Sequence, residues 1–348
     1  MRRRLRIILL TLAACAGAGA VGGAAVVGLG LYNVSASAGH LPGVSWLLHS
    51  AFRASVRLRA PAAEEVPDLS DPARAALGAG HYATACAPCH GGPDAAAMAT
   101  VRHMVPEPPP VAAAVAQWQP RHLHWIVENG VKMTGMPAWP AEERGDEVWA
   151  VVAWAEALKR GEAPPLPQTA QGTAPGAGPE ARAGYCLACH GAPGGGVPRL
   201  DIQEPAVLAA AMRDYRSGTR QSGIMAQAMS FVPPEQDAAL AGLLAGTGPE
   251  RLPRPAPPPE GAGALATRGT RDVPACTACH GPDAEGDRPG RFPALAGQDA
   301  TFLATELRLW RDGVRKGSPL MRAAARRLTE AQITALAAWY AAREPAAE

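Results

Sequence analysis

The chain has 348 residues, with 33 basic and 31 acidic side chains, seven cysteines, 38 glycines, 35 prolines and only 5% aromatic residues. Residues 1–60 hold seven of the basic side chains and no acid, so the remainder carries 26 against 31, a balance of −5 that argues against a nucleic-acid partner. The length implies two or three domains, and so few aromatics make a poor core for three small ones.

Arg2, Arg3, Arg4 and Arg6 precede an apolar run from Ile7 to Tyr32, broken only by Thr11. As a helix this run is roughly 39 Å long, more than the ~30 Å hydrocarbon core of a bilayer requires. The positive-inside rule places the four arginines in the cytoplasm and the rest of the chain across the membrane, with Arg53, Arg57 and Arg59 weakening the asymmetry. Two other readings are cleavage after Ala36-Ser37-Ala38 and acylation of Cys15 within Leu12-Ala13-Ala14-Cys15. The run is much longer than the ~7–15 residues of a signal core and continues well beyond Cys15, so an uncleaved single-pass anchor is expected. Between Leu41 and Arg59, residues Trp46, Leu47, Leu48, Phe52 and Val56 recur at near-helical spacing among arginines, which predicts a short helix at the membrane surface. His40 and His49 lie in this stretch without a mechanism to serve.

Asp71-Pro72 predicts a helix start, with Asp71 as cap and proline in the first helical position. The helix leads through Ala76, Gly80 and Tyr82 to Cys86-Ala87-Pro88-Cys89-His90. The same pattern returns as Cys186-Leu187-Ala188-Cys189-His190 and as Cys276-Thr277-Ala278-Cys279-His280. C-x-x-C-H is the attachment signature of c-type haem. Two thiols three positions apart on the first turn of a helix each form a thioether to a vinyl group, and the histidine supplies the proximal iron ligand. One copy would also fit a redox disulfide or half of a zinc site, but three copies, each with histidine fifth, point to three haem c groups. Cys86, Cys89, Cys186, Cys189, Cys276 and Cys279 are then covalent attachment sites, and His90, His190 and His280 axial ligands. Only Cys15 remains, so no cysteine pair is free for a structural disulfide. A buried porphyrin in each domain would supply the apolar body that the aromatics do not.

After His90 the run Pro106 to Pro110 cannot be helical throughout and is expected to wrap a haem edge. A helix is expected from about Pro120, with Leu123, Ile126 and Val127 on its apolar side, ending at Asn129-Gly130. Thr134-Gly135-Met136-Pro137-Ala138-Trp139 follows. A flexible turn bearing methionine is where the sixth iron ligand belongs, so Met136 is expected there in preference to Met133. A last helix from Glu142 to Leu158 turns Val148, Val151, Val152 and Ala155 inward. His81, His103, His122 and His124 are expected at the surface or in supporting positions.

Gly161 to Pro179 and Pro249 to Gly263 are Pro/Gly/Ala spacers. Pro198, Leu200, Tyr215, Gly218 and Arg220 match Pro293, Leu295, Trp310, Gly313 and Arg315 at an offset of 95, whereas the motifs are offset by 90, which puts the length difference in the loop after the haem histidine. The third copy is expected to run as a helix from Phe302 to Asp312, a basic loop with Met321, and a final helix from Thr329. Met225 is the matching methionine of the second copy, with Met229 as its alternative. Arg216, Arg220, Arg311 and Arg315 are either haem propionate partners or solvated helix ends.

These segments resemble class I cytochrome c domains. Residues from about 179 to 345 are similar to the tandem dihaem cytochromes c that serve bacterial terminal oxidases, on the strength of Phe292-Pro293-Ala294-Leu295-Ala296-Gly297-Gln298 and the loop from Gly313 to Met321. The second copy has Asp201-Ile202-Gln203 in place of Ala-Gly-Gln, so its haem edge is expected to differ. Residues from about 31 to 160 resemble a membrane-anchored bacterial cytochrome c, through Tyr32-Asn33-Val34 and the run from Asn129 to Trp139. The resemblance implies that a proline carbonyl orients each proximal histidine, which carries over to Pro198 and Pro293.

The expected fold is all-α, with three class I cytochrome c domains at 71–160, 179–247 and 263–345. Ahead of them stand an anchor at 1–35 and a juxtamembrane segment at 36–70, and linkers lie at 161–178 and 248–262. Three irons closed by His90 and Met136, His190 and Met225, and His280 and Met321 leave no position for substrate, so no enzyme activity is expected. The expected role is single-electron transfer on the periplasmic face of a bacterial inner membrane, between a quinol-side donor or dehydrogenase and a terminal oxidase or reductase. A cytochrome subunit of a larger periplasmic dehydrogenase or oxidase complex is the alternative. A peroxidase-like enzyme would need one open iron, and the second copy, where Met225 and Met229 compete, is where it would lie.

Overall fold

A computed structural model describes residues 2–167, 178–191, 194–248, 257–286 and 290–345. The linkers expected at 161–178 and 248–262 therefore fall largely outside the described residues. Among the described residues the fold is all-α, with no strand and only an isolated bridge between Gly92 and Ala95.

Helix α1 (Arg2–Gly28) is exposed along its length, and it is long and apolar enough to cross a membrane. Helix α2 (Val44–Arg59) docks on the first C-x-x-C-H repeat through Val56, which is fully buried, and through Phe52, whose ring meets Trp118 edge-on at 5.6 Å. Its outer side leaves Trp46 73% and Leu58 78% exposed beside Arg53, Arg57 and Arg59.

The first repeat contains α3 (Pro72–His81), α4 (Ala87–His90), α5 (Val111–Ala116), α6 (Pro120–Asn129) and α7 (Gly145–Arg160). Asp71 caps α3 by accepting from Ala73 N at 2.9 Å. The inward face of α3 is Ala75, Gly78 and Ala79, continued by Tyr82, whereas Ala76 is exposed. Helix α7 crosses α3 at Gly78, where a Cβ would stand 2.0 Å from the Ala150 carbonyl oxygen. Val148, Val151, Val152 and Ala155 face this core, with Trp154 fully buried and stacked on Tyr82 at 4.2 Å. The helix begins at Gly145 rather than Glu142, because Glu143 turns through φ 61° and Arg144 precedes it in non-helical geometry.

The second repeat comprises α8 (Pro179–His190), α9 (Pro205–Ser217), α10 (Gly223–Met229) and α11 (Asp237–Ala245). The third comprises α12 (Ala262–Arg268), α13 (Thr277–His280), α14 (Ala300–Asp312), α15 (Pro319–Ala325) and α16 (Glu330–Ala341). The opening and closing helices pack together in each, α8 on α11 and α12 on α16. Each repeat has its own apolar core, at residues 79–155, 183–244 and 266–340. Thr329 caps α16 in a reciprocal box with Gln332. Met321, expected in a loop, lies in α15, because Ser318 caps a turn that Pro319 opens.

Candidate haem sites

The motifs were expected on the first turn of a helix, yet in two repeats they close one. Cys186, Cys189 and His190 form the last turn of α8. The first motif ends a continuous helical run in which α3 passes through a wider π-turn, Tyr82–Cys86, into α4. In the third, Cys276 caps the four-residue α13. What survives is the i, i+3 spacing, which puts both thiols of a pair on one helical face. Burial pushes the thiols of Cys86 and Cys186 up to about 12, and each neighbouring cysteine adds to the shift, so both are neutral at physiological pH.

Each histidine makes the same bond. His90 Nδ1 donates to Pro109 O, His190 Nδ1 to Pro198 O and His280 Nδ1 to Pro293 O, all at 2.9 Å. A carbonyl only accepts, so the proton is on Nδ1 and the ring's lone pair is on Nε2, the atom that would ligate iron. Burial pushes the His190 imidazole down, against the opposing pull of the Pro198 carbonyl. The sequence pointed to Pro198 and Pro293. Pro109, 19 residues beyond His90, completes the set.

One cavity of about 1150 Å³ is lined by Cys186, Cys189, His190 and Met225 together with Cys276, Cys279, His280 and Met321. A single small-molecule site holds ~300–1,000 Å³. Met225 and Met321 are half-buried on this cavity and stand at the same place after a capping serine, Ser222 and Ser318, whose Oγ accepts from the methionine N–H. Met229 also lines the cavity, but it is 2% exposed and belongs to the second apolar core. In the first repeat Met133 is 97% exposed at φ 61°, whereas Met136 is half-buried. Met104 was not anticipated there: its Cε would stand 2.2 Å from a Cβ at Gly135.

The chain matches the family described as cytochrome c oxidase, cbb3-type, subunit III, over residues 73–154 and 266–339. A protein named thiosulfate dehydrogenase electron acceptor from Thiomonas intermedia is 39% identical over 46% of this chain and 79% of its own length. One of the same name from Stutzerimonas stutzeri is 37% identical over 48% and 81%. Cytochrome c4 of Azotobacter vinelandii is 31% identical over 46% and 85%. The chain belongs to the class I cytochrome c family.

In this cytochrome the second and third repeats exchange equivalent contacts. Gln203 Nε2 donates to Ala294 O at 2.9 Å and its Oε1 accepts from Ala294 N at 3.0 Å. Gln298 Nε2 donates to Arg199 O at 3.1 Å and its Oε1 accepts from Arg199 N at 2.6 Å. Both glutamines are buried, and each grips the peptide just after the proline that holds the other repeat's histidine. Although Asp201 and Ile202 stand where the third repeat has Ala296 and Gly297, Gln203 makes the contact that Gln298 makes. Gln298→Ala is expected to cost about 2 kcal/mol, because it strands a donor and an acceptor on Arg199. Gln203→Ala should cost a similar amount. Urea unfolding of the full cytochrome checks both, and unchanged midpoints would contradict the clamp.

The arginines considered for propionates have protein partners. Arg216 forks onto Asp237 at 2.8 and 2.9 Å, and Arg311 pairs with Asp312 and Glu330. Arg315 pairs with Glu306, which also meets Arg220 at 3.3 Å. Burial alone would push the Glu306 carboxyl up, but Arg220 and Arg315 hold it at about 2. Gln221 O accepts from Arg144 of the first repeat at 2.6 Å and from Arg315 of the third, so three repeats meet at one carbonyl.

The supporting histidines of the cytochrome are mostly interior. His124 stacks on Trp149 at 4.0 Å and its Nε2 donates to Gly145 O at 2.8 Å, while His122 packs on Trp118 and only His103 is exposed. His81 packs on Trp139 at 4.6 Å, and burial pushes it down to about 4. Its ordinary value is 6.5, so between these pH values the unfolded chain binds the extra proton. The stability is whole above pH 6.5 and is lost as pH falls towards 4. His81→Phe is expected to remove about 3 kcal/mol of the loss between neutral pH and the acid side of this window. Melts at both pH values test it, and an unaltered pH slope would contradict it.

Proposed function

We propose that the cytochrome carries three haem c groups on Cys86 and Cys89, Cys186 and Cys189, and Cys276 and Cys279. Each iron is closed by one histidine and one methionine: His90 and Met136, His190 and Met225, His280 and Met321. The haem units occupy 71–160, 179–247 and 263–345, behind an uncleaved single-pass anchor in a bacterial inner membrane. They lie in the periplasm and pass single electrons from a quinol-side donor or dehydrogenase to a terminal oxidase or reductase. The observation that carries this reading is the threefold Nδ1 bond from a motif histidine to a proline carbonyl, which leaves the lone pair on Nε2, the atom that would ligate iron, each time. Haem supplies a reversible one-electron couple, and histidine with methionine raises its potential. The outer face of α2, with Trp46, Leu58 and three arginines, suits an anionic lipid surface next to the anchor.

A dehydrogenase is the favoured kind of donor, because two relatives are named as electron acceptors of thiosulfate dehydrogenase. Potentiometric titration of detergent-extracted protein, scaled by the pyridine haemochrome, tests the reading. Three one-electron waves per chain are expected. Two haems per chain, or a catalytic subunit that copurifies in equal amount, would overturn the count or the independence of the carrier.

A further inference from the structure

Glu147 stands at the start of α7 in the first repeat, yet it serves the second. Its Oε1 accepts from Ser222 Oγ at 2.6 Å, and its Oε2 from Gly223 N at 2.7 Å and Ile224 N at 3.3 Å. Those are the cap and the first two N–H groups of α10, the helix that carries Met225. Ser222 Oγ in turn accepts from Met225 N at 3.1 Å, so a continuous set of hydrogen bonds runs from Glu147 to the methionine. The carboxylate side chain is only 8% exposed; Arg144 holds it at 2.8 Å and Trp139 Nε1 donates to it at 3.2 Å. Trp139 follows Met136 by three residues, so the methionine turns of the first two repeats meet on one carboxylate.

The third repeat shows why the second needs this acceptor. Ser318 caps α15 as Ser222 caps α10, but Pro319 fills the first helical position and has no N–H to satisfy. The second repeat has Gly223 there, which is buried and whose N–H needs a partner. A Cβ at Gly223 would stand 2.2 Å from Trp139 Nε1, so glycine also admits the first repeat this closely. Arg144 grips the preceding carbonyl, Gln221 O, from the same side.

We propose that Glu147 is a positioning residue for Met225: docking of the first repeat holds the sixth ligand of the second iron, which couples ligation of one haem unit to contact with its neighbour. The inference rests on Met225 as that ligand. Losing an N-terminal cap of this kind raises the population of the released turn about tenfold. An external ligand competing for ferric iron gains apparent affinity in proportion to the open fraction.

The test titrates the full, oxidised, detergent-extracted protein with imidazole and follows the far-red methionine-to-iron charge-transfer band. In Glu147→Ala with its full haem content, one haem is expected to take imidazole with about tenfold higher affinity than in wild type. Glu147→Gln, which keeps one acceptor oxygen, should fall between. Met225→Ala is the open reference, lacking about one third of the band before any imidazole is added. If Met225→Ala loses that third while both Glu147 variants titrate as wild type, the inference is wrong and the ligand assignment stands. If Met225→Ala keeps the whole band, the assignment falls and the inference with it. Should Glu147→Ala lose haem, the Glu147→Gln titration decides alone.

Discussion

Alanine in place of Gly78 is expected to destabilise the first repeat by about 3 kcal/mol. Helix propensity alone favours the change by ~1 kcal/mol, because glycine is a poor helix former. The contact is decisive: the new Cβ would lie 2.0 Å from Ala150 O and 3.0 Å from Trp154 Cβ, with backbone on one side and a fully buried tryptophan on the other. Neither yields without separating α3 from α7, and with them the stack of Tyr82 on Trp154. Gly184→Ala is the matched control, since nothing lies within 4 Å of its Cβ position. There the propensity gain should appear as a stabilisation of up to ~1 kcal/mol. Thermal melts of the full chain separate the two outcomes, and equal effects would show that the crossing is not tightly packed.

Met321→Ala is expected to open the third iron and lower its potential by ~0.2 V, a fraction of the ~0.8 V range that axial ligation spans. The thioether favours ferrous iron, so its loss stabilises the oxidised form. Met321 packs against the third core from α15, and Ser318 fixes the turn that carries it. Because the serine cap and proline start remain in the variant, the helix should persist and the change should be confined to the iron. Potentiometry resolves it as one shifted wave beside two unshifted ones. Three unshifted waves would remove Met321 from the ligand set.

The sequence made the recurring chemistry legible because that chemistry is local. Asp71-Pro72 and Thr329 announced helix starts that the structure shows as capped, and Gly130 and Gly313, at φ 64° and 82°, end helices where expected. Pro198 and Pro293 align in the internal repeat, and the family resemblance implied their role. Pro109 was not, because the first repeat lacks that register and three prolines follow one another at 108–110. The start of α7 was placed three residues early because Glu142 and Glu143 look like a first helical turn, whereas Glu143 adopts positive φ. Glu147 gave no signal. An acid near a helix start is ordinary, and its partners Ser222 and Gly223 lie about 75 residues away. Asp201-Ile202-Gln203 was read as a departure from the third repeat, although Gln203 stands to Pro198 as Gln298 does to Pro293; the shared glutamine was legible in the sequence, and the reciprocal contacts show what it does.

Closure of every iron would leave the protein to carry electrons rather than transform a substrate. A carbon monoxide difference spectrum of the reduced, detergent-extracted protein, scaled to haem by the pyridine haemochrome, tests it most directly. Three haems per chain and negligible carbon monoxide binding are expected. Stoichiometric binding at one haem would contradict it and make that iron a site of catalysis or sensing.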